Sequence, residues 1–514
     1  MSVFKRNTKQ SGSKSKLDAL LDKVLYTFPN GKDTLDVRSG IEGECCFGET
    51  GSGKTTGYNN QYLQAMLNFG MGGRVFSVKK EAARYFKKTF EKCGRKFIHF
   101  KKGSPYRFNF LEYELARKGE GAKEISNISN LIVLMSLLVG NYNEGNSSGK
   151  NQDRFWQLAT ERLTNRSVSL LDLSDTPITI LNIRKLIVNS FTEADVERYN
   201  TTWVQLKDSQ VSQDKKNDLW QEYQAWAESN FFLSCLQKAT SKENITEDEL
   251  FSLEIAGDYF MKEWPRLAEK TKSIVLESFL GAVESFVSPG ILKEHFSEGV
   301  SPELLPENAY LNGDIVLVDF PVKEFGLPAI LANGIMKFAF QTAMERREVS
   351  REENPMPVLL WVDEYQNLVN PAYDPMFQAT AREALVCTVY ISQSFNAIIG
   401  AMGAENAENK AKSLITNLGL KVFNANSDYD TNEFAANMIG RHFVDITSVS
   451  IGHDKQRQHS FSQQYHYQVP PEHFTTLRTG GSANGNQVEA VLFKAGKKWS
   501  TGRNFLQSEF DQRV

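Results

Sequence analysis

Glu44-Cys45-Cys46-Phe47-Gly48-Glu49-Thr50-Gly51-Ser52-Gly53-Lys54-Thr55-Thr56 joins an apolar run to a segment that satisfies G-x-x-x-x-G-K-[ST] in full, and a helix-like stretch from Tyr58 to Phe69 follows. This is the strand-loop-helix setting that a phosphate loop requires. Gly48, Gly51 and Gly53 let successive backbone N–H groups point into one concavity, and the positive end of the next helix faces the same place. A nucleoside triphosphate is the natural occupant. The segment Gly48, Glu49, Thr50, Gly51, Ser52, Gly53, Lys54, Thr55, Thr56 is therefore the expected nucleotide cradle. Lys54 is expected to reach the β- and γ-phosphates, and the Thr55 hydroxyl to take one position on a magnesium ion.

Around this loop the pattern is α/β. Arg74 to Val78 and Lys96 to Phe100 read as short strands and 81–93 as the helix between them, an alternation that implies a parallel sheet with helices on its faces. Residues 124–139 carry helical spacing, and 141–151, rich in Gly, Asn and Ser, read as a linker. From about 153 to 298 the character changes to amphipathic helices, at 155–171, 178–191, 203–232 and 270–286, so an all-helical insertion of roughly 150 residues is expected. The α/β pattern then resumes. Strands are expected at 314–319, 357–362 and 385–391, with a long helix at 327–347.

Two of those strands end in an acid, Asp319 and Asp363, and either could supply a magnesium-binding carboxylate. Asp363 has the better chemistry because Glu364 follows it directly: Asp363 can hold the metal through water while Glu364 orients and deprotonates an attacking water. Gln393 follows the strand ending near Ile391, where an amide can sense a γ-phosphate. Arg382 is expected on the helix between those two strands.

At 514 residues the chain needs at least two domains, on a prior of roughly 150 residues each. Its 59 basic and 62 acidic side chains leave a net charge of -3, so no global field draws it to nucleic acid or an anionic membrane, and any such contact must be local. Cys45, Cys46, Cys93, Cys235 and Cys387 show no C-x-x-C spacing, which suits a reducing cytosol. His442, His453, His459, His466 and His473 share one polar stretch without a zinc pattern. The first seventeen residues hold five cations and no acid, a flexible basic tail with no apolar segment behind it. No run approaches the roughly 20 apolar residues of a membrane span.

Together these residues resemble the type IV secretion coupling proteins of bacterial conjugation, the TraD/TraG type, within the FtsK/HerA-like translocating ATPases. The resemblance rests on the phosphate loop and on Tyr106-Arg107-Phe108-Asn109-Phe110-Leu111, similar to the family's Arg-Phe-Asn-Pro-Leu segment. It continues through Asp153-Arg154-Phe155-Trp156, Val362-Asp363-Glu364-Tyr365-Gln366-Asn367-Leu368, Ala381-Arg382-Glu383-Ala384, Ile391-Ser392-Gln393-Ser394, and an asparagine, short strand and Gly-terminated helix over 412–440.

The resemblance implies an α/β RecA-like P-loop ATPase domain with a mainly parallel sheet and an inserted all-α domain. Residues 1–20 would be the tail, 21–145 and 306–514 the two parts of the ATPase domain, and 146–305 the insertion. It makes Lys54 and Thr55 the Walker A pair, Asp363 with Glu364 the Walker B pair, Gln393 the sensor and Arg382 a finger reaching a neighbouring subunit. ATP and Mg2+ are the implied cofactors. A hexameric ring, DNA, and a relaxase or other secretion substrate are the implied partners. The chain departs from the family in lacking membrane-spanning helices, in having Ser77-Val78-Lys79-Lys80-Glu81 without the usual Asp, and in Asn109-Phe110 where Asn-Pro is usual. A cytoplasmic protein, peripheral at the inner membrane through a separate anchor subunit, is therefore expected. A HerA-like duplex translocase acting with a nuclease, and a nucleotide-gated adaptor for secretion substrates, stay open beside the conjugative DNA motor.

Overall fold

The computed structural model describes residues 16–117, 135, 152–403, 406–451 and 457–513. The helix expected at 124–139, apart from Met135, and the linker at 141–151 lie outside the described residues, as does most of the basic tail.

Among the described residues thirteen strands form three sheets. β1 (Val24–Thr27) and β2 (Thr34–Asp36) make a small antiparallel pair. The main sheet begins with β3 (Glu44–Phe47), β4 (Gly73–Ser77) and β5 (Ile98–Lys101), and is taken up again by β6 (Ile315–Asp319), β7 (Val358–Val362), β8 (Val386–Ser392) and β9 (Leu420–Phe423). β10 (Arg441–Ile451) and β11 (Arg457–Tyr467) form a hairpin of their own, and β12 (Gln487–Lys494) and β13 (Phe505–Asp511) return to the main sheet. Its order is β13-β12-β9-β3-β8-β7-β4-β6-β5. From β9 to β5 every neighbouring pair is parallel, whereas β12 runs antiparallel to both β9 and β13.

The central strands are buried along their whole length, as expected of parallel strands covered on both faces. Registers such as Phe47 with Ser392, Phe76 with Val362 and Lys101 with Asp319 bring the carboxyl ends of β3, β8, β7, β4, β6 and β5 to one rim. In an open α/β sheet that rim is where ligands bind.

Between β5 and β6 the chain is helical, and Gln152–Leu173, Ile180–Val188 and Glu269–Val287 correspond to three of the expected helices. The stretch 203–232, expected as one helix, is divided among three: Glu193–Lys207, Gln213–Ser229 and Phe231–Thr240. Local hydrogen bonding divides it. Asp208 leaves the helix in an extended conformation and its carboxylate takes the Gln210 N–H, while the Asn230 side chain accepts from Leu233 N and opens a new helix. Among the described residues no helix is long and apolar enough to cross a membrane.

Candidate nucleotide site at the sheet rim

The loop after β3 is held at both flanks. Gly48 N–H donates to Ser392 O at 3.3 Å and Glu49 N–H to Ala425 O at 3.1 Å. Gly51 and Gly53 have φ of +86° and +79°, which side-chain-bearing residues rarely adopt. A Cβ on Gly53 would lie 2.5 Å from a Val488 methyl, so that glycine also permits close approach of the C-terminal strands. Gly57 N–H returns to Gly53 O at 2.7 Å, and the helix Tyr58–Phe69 follows.

Among the described residues nothing accepts the N–H groups of Gly51, Gly53, Lys54 or Thr55. Four N–H groups free in one glycine-built concavity are what a polyphosphate needs. The buried Ser52 hydroxyl also has no partner. The Glu49 side chain instead takes both the N–H and the hydroxyl of Ser427, the latter at 2.7 Å, and braces the loop from outside. Thr50 is exposed, Thr55 is half-buried, and the Thr56 hydroxyl accepts from Gln512 at 2.5 Å.

Beneath the loop Glu44 is buried on β3, accepting from the Tyr58 hydroxyl at 2.9 Å with its second oxygen unpartnered. Burial pushes its carboxyl up to about 8, the tyrosine hydrogen bond only partly opposing this, so Glu44 is mainly neutral at pH 7.

Lys54 is buried, with Nζ 3.3 Å from Glu49 O and 3.9 Å from a Glu364 oxygen. Asp363 leaves β7 with its backbone N–H on Phe76 O and one carboxylate oxygen, Oδ1, buried without a partner. Burial and, after it, the adjacent Glu364 charge push Asp363 up to about 6. An unpaired carboxylate oxygen there, beside a threonine-bearing phosphate loop, fits a hard divalent cation such as Mg2+. Glu364 sits in the left-handed region (φ +52°, ψ 50°) and is clasped from three sides. Lys79 donates to one oxygen, and Gln366 at 2.6 Å and Gln393 at 3.0 Å donate to the other. Burial alone would raise its carboxyl, but the Lys79 hydrogen bond and the charges of Lys54 and Lys79 outweigh it and hold Glu364 below its ordinary range.

Behind Glu364 lies a dry ionic network. Lys337, on the largely buried helix Leu327–Glu345, donates to Asp374 at 2.6 and 2.8 Å and to the Leu368 carbonyl. Asp374 also accepts from the Tyr365 hydroxyl at 2.6 Å and from Asn370 N at 2.8 Å, and Gln341 links it to the Tyr390 hydroxyl. Tyr365 and Tyr390 stack at 4.0 Å. The segment carrying Glu364 is thus tied to the strand that delivers Gln393.

Of the residues singled out in the sequence, Lys54, Asp363, Glu364 and Gln393 converge on one rim. Asp319 stands apart. Its strand is four positions from β3, about 19 Å at the usual strand spacing, and its carboxylate contacts His99 at 2.8 Å. Arg382 does not join the site of its own chain, and it is not helical. The helix ends at Thr380, Val386 N–H closes a turn onto Ala381 O, and Arg382 lies exposed at the amino end of β8, the far end from Gln393. Lys79 belongs to none of the motifs above; its signal in the sequence is a lysine two residues beyond a buried parallel strand.

Residues 357–477 match the family model for the TraM recognition site of TraD and TraG. No curated protein sequence is a significant match. Solved structures of the plasmid coupling protein TrwB share the fold. In complex with a non-hydrolysable ATP analogue, TrwB aligns at a TM-score of 0.58 and 14% identity, covering 100% of this chain and 97% of TrwB. An unbound form gives 0.57 and 13%, over 97% and 91%. TrwB with ADP and Mg2+ gives 0.55 and 13% over the same shares. The chain thus carries, over residues 357–477, a segment that matches the TraM recognition site of TraD and TraG, and it shares the fold of the coupling protein TrwB along its whole length.

Proposed function

We propose that the chain is the ATP-hydrolysing subunit of a ring motor that moves DNA, single-stranded and carrying a relaxase, toward a type IV secretion channel.

 The ring is a homohexamer, and the sheet rim described above is its hydrolytic centre. The observation that carries this reading is the clasp on Glu364, since a protein that only bound nucleotide would have no use for an ionised carboxylate held beside Lys54 by Lys79 and Gln393.

The free N–H groups of the loop and Lys54 bind the β- and γ-phosphates of ATP. Thr55 and Asp363 hold Mg2+, which when bound draws charge from the phosphate oxygens. Glu364 orients a water and takes its proton as the water oxygen bonds to the γ-phosphorus and the bond to the β-phosphate oxygen breaks. Gln393, bonded to Glu364, registers the loss of the γ-phosphate. Arg382 acts on the nucleotide of an adjoining subunit, where its place outside its own site is an advantage. Residues 21–145 and 306–514 form the motor domain, 146–305 the substrate-handling insertion, and 1–20 a basic tail. The protein works at the cytoplasmic side of the inner membrane through an anchor subunit.

ATP hydrolysis measured with and without single-stranded DNA, over a range of protein concentration and at two salt levels, tests this. Stimulation that grows with assembly and weakens with salt is expected. A rate that ignores DNA at every concentration, yet rises with a relaxase, would replace the motor with the nucleotide-gated adaptor.

A further inference from the structure

At the β5 end of the same rim, five strand spacings or about 24 Å from the phosphate loop, lies a cavity of about 350 Å³ whose wall is dominated by cations. Lys80, Arg84 and Lys87 enter it from one face of the helix Lys80–Lys92, at positions i, i+4 and i+7, with Ala83 at the edge of the same cavity, while Phe86 and Phe90 pack the neighbouring face into the core. Lys101 and Lys102 enter from the end of β5. Two acids also line it. Asp319 is engaged by His99, and Glu324 is the other. Among the described residues no carboxylate lies within ion-pair distance of any of these five cations. A second cavity shares Lys102 and Phe325 with the first and adds Lys293 with its neighbour Glu294, so a polar lining continues to the helix Ile291–Phe296.

We propose that this cavity binds the sugar-phosphate backbone of a nucleic-acid strand, supplying the local contact that a chain of net charge -3 lacks overall. The inference rests on the DNA-motor reading and names its DNA-contacting residues. Three features favour a polyanionic strand. The cations are repeated rather than converging on one point, with Lys80 to Lys87 spanning about 10 Å along the helix, so they meet successive phosphates. They are long, partly exposed side chains able to follow a backbone without reading its sequence. They also line a recess, with Lys102 lying 5.3 Å over the Phe325 ring, and not an apolar-fringed surface that could settle into a bilayer. The helix that carries them begins one residue after Lys79, which holds Glu364, so the chain directly links the cavity wall to the clasp on the hydrolytic carboxylate.

The test is single-stranded DNA binding by the full chain with an ATP analogue, from about 50 to 200 mM salt, for the wild type and three double variants. Arg84→Gln/Lys87→Gln and Lys101→Gln/Lys102→Gln alter the cavity; Lys215→Gln/Lys216→Gln removes equal charge from the helical insertion. Each cavity pair is expected to make the log-log salt slope shallower by about 1.4, at about 0.7 per lost contact, and to lose DNA stimulation while DNA-free hydrolysis is unchanged. The control pair is expected to keep the wild-type slope. Cavity variants that bind with wild-type affinity and slope would overturn the inference and leave the motor reading standing. A wild type that binds no DNA would instead remove the motor reading itself. Loss of binding to phosphatidylglycerol vesicles with DNA binding intact would reassign the cavity to a lipid headgroup and likewise overturn the inference.

Discussion

One rim of one sheet holds cations in two opposite ways. At the β3 to β4 end Lys54 is buried, and Lys79, though partly open to solvent, is locked onto a buried carboxylate, so each acts at one fixed place. At the β5 end Lys80, Arg84, Lys101 and Lys102 are exposed and act by number. The difference is one of dielectric. A charge removed from water interacts strongly and cannot be moved without cost, whereas an exposed charge is screened within about 8 Å at physiological salt. Single substitutions should therefore be decisive at the first end and modest at the second.

The largest effect should come from Glu364→Gln, which keeps the shape of the clasp and removes the base. Nucleotide binding should persist while turnover falls by about 10² to 10⁴, measured by equilibrium binding and steady-state hydrolysis. Hydrolysis at the wild-type rate would move the base elsewhere on the rim. Next comes the dry network behind it. Lys337→Met leaves Asp374 buried and unpaired and should lower unfolding free energy by about 3–5 kcal/mol in urea titrations; Lys337→Met/Asp374→Leu, which removes both charges, should recover most of that loss.

Glu44 offers a subtler measure of burial. Its folded carboxyl titrates near 8 against an ordinary 4.5, so between those values the unfolded chain releases the proton first and stability declines as pH rises, by at most about 1.4 kcal/mol per unit. That stabilising proton is fully in place below about 4.5 and lost through about 8. Glu44→Gln should flatten this part of the stability-pH profile, and an unchanged slope would show that Glu44 is hydrated. The smallest effect is expected at the outer end, where Arg84→Gln alone should weaken single-strand binding about fourfold at 0.15 M salt. A hundredfold loss would mean that Arg84 makes a fixed contact and that the two ends are not so different.

The parts visible in the sequence are those whose chemistry is local. Gly48, Gly51, Gly53 and Lys54 are spaced by the geometry of one loop, and Asp363-Glu364 closes one apolar strand, so both can be found without knowing the strand order. The clasp on Glu364 is not local. Lys79 lies 285 residues from its partner, and only the adjacency of β4 and β7 makes them neighbours. The hairpin of β10 and β11 escaped notice for a different reason. Phe443, Phe461 and Tyr465 are exposed along it, none of its described side chains is buried, and the short alternations Val444-Asp445-Ile446 and Val449-Ser450-Ile451 are too brief to mark a half-buried strand. Arg382 was expected on a helix because Asp374 to Glu383 contains no breaker after Pro375; the turn that ends it is set by the need to enter β8, with Leu385 at φ +56°.

The contact of Gln512 with Thr56 spans 456 residues, and Val488 fills the space over Gly53 that a larger residue would need. During synthesis, then, the phosphate loop leaves the ribosome early but cannot acquire its final walls until β12 and β13 have followed. At about 5–20 residues per second that interval is tens of seconds, a time during which the loop is present, the sheet is open at β9, and a nascent chain has no complete nucleotide site to be stabilised by ligand.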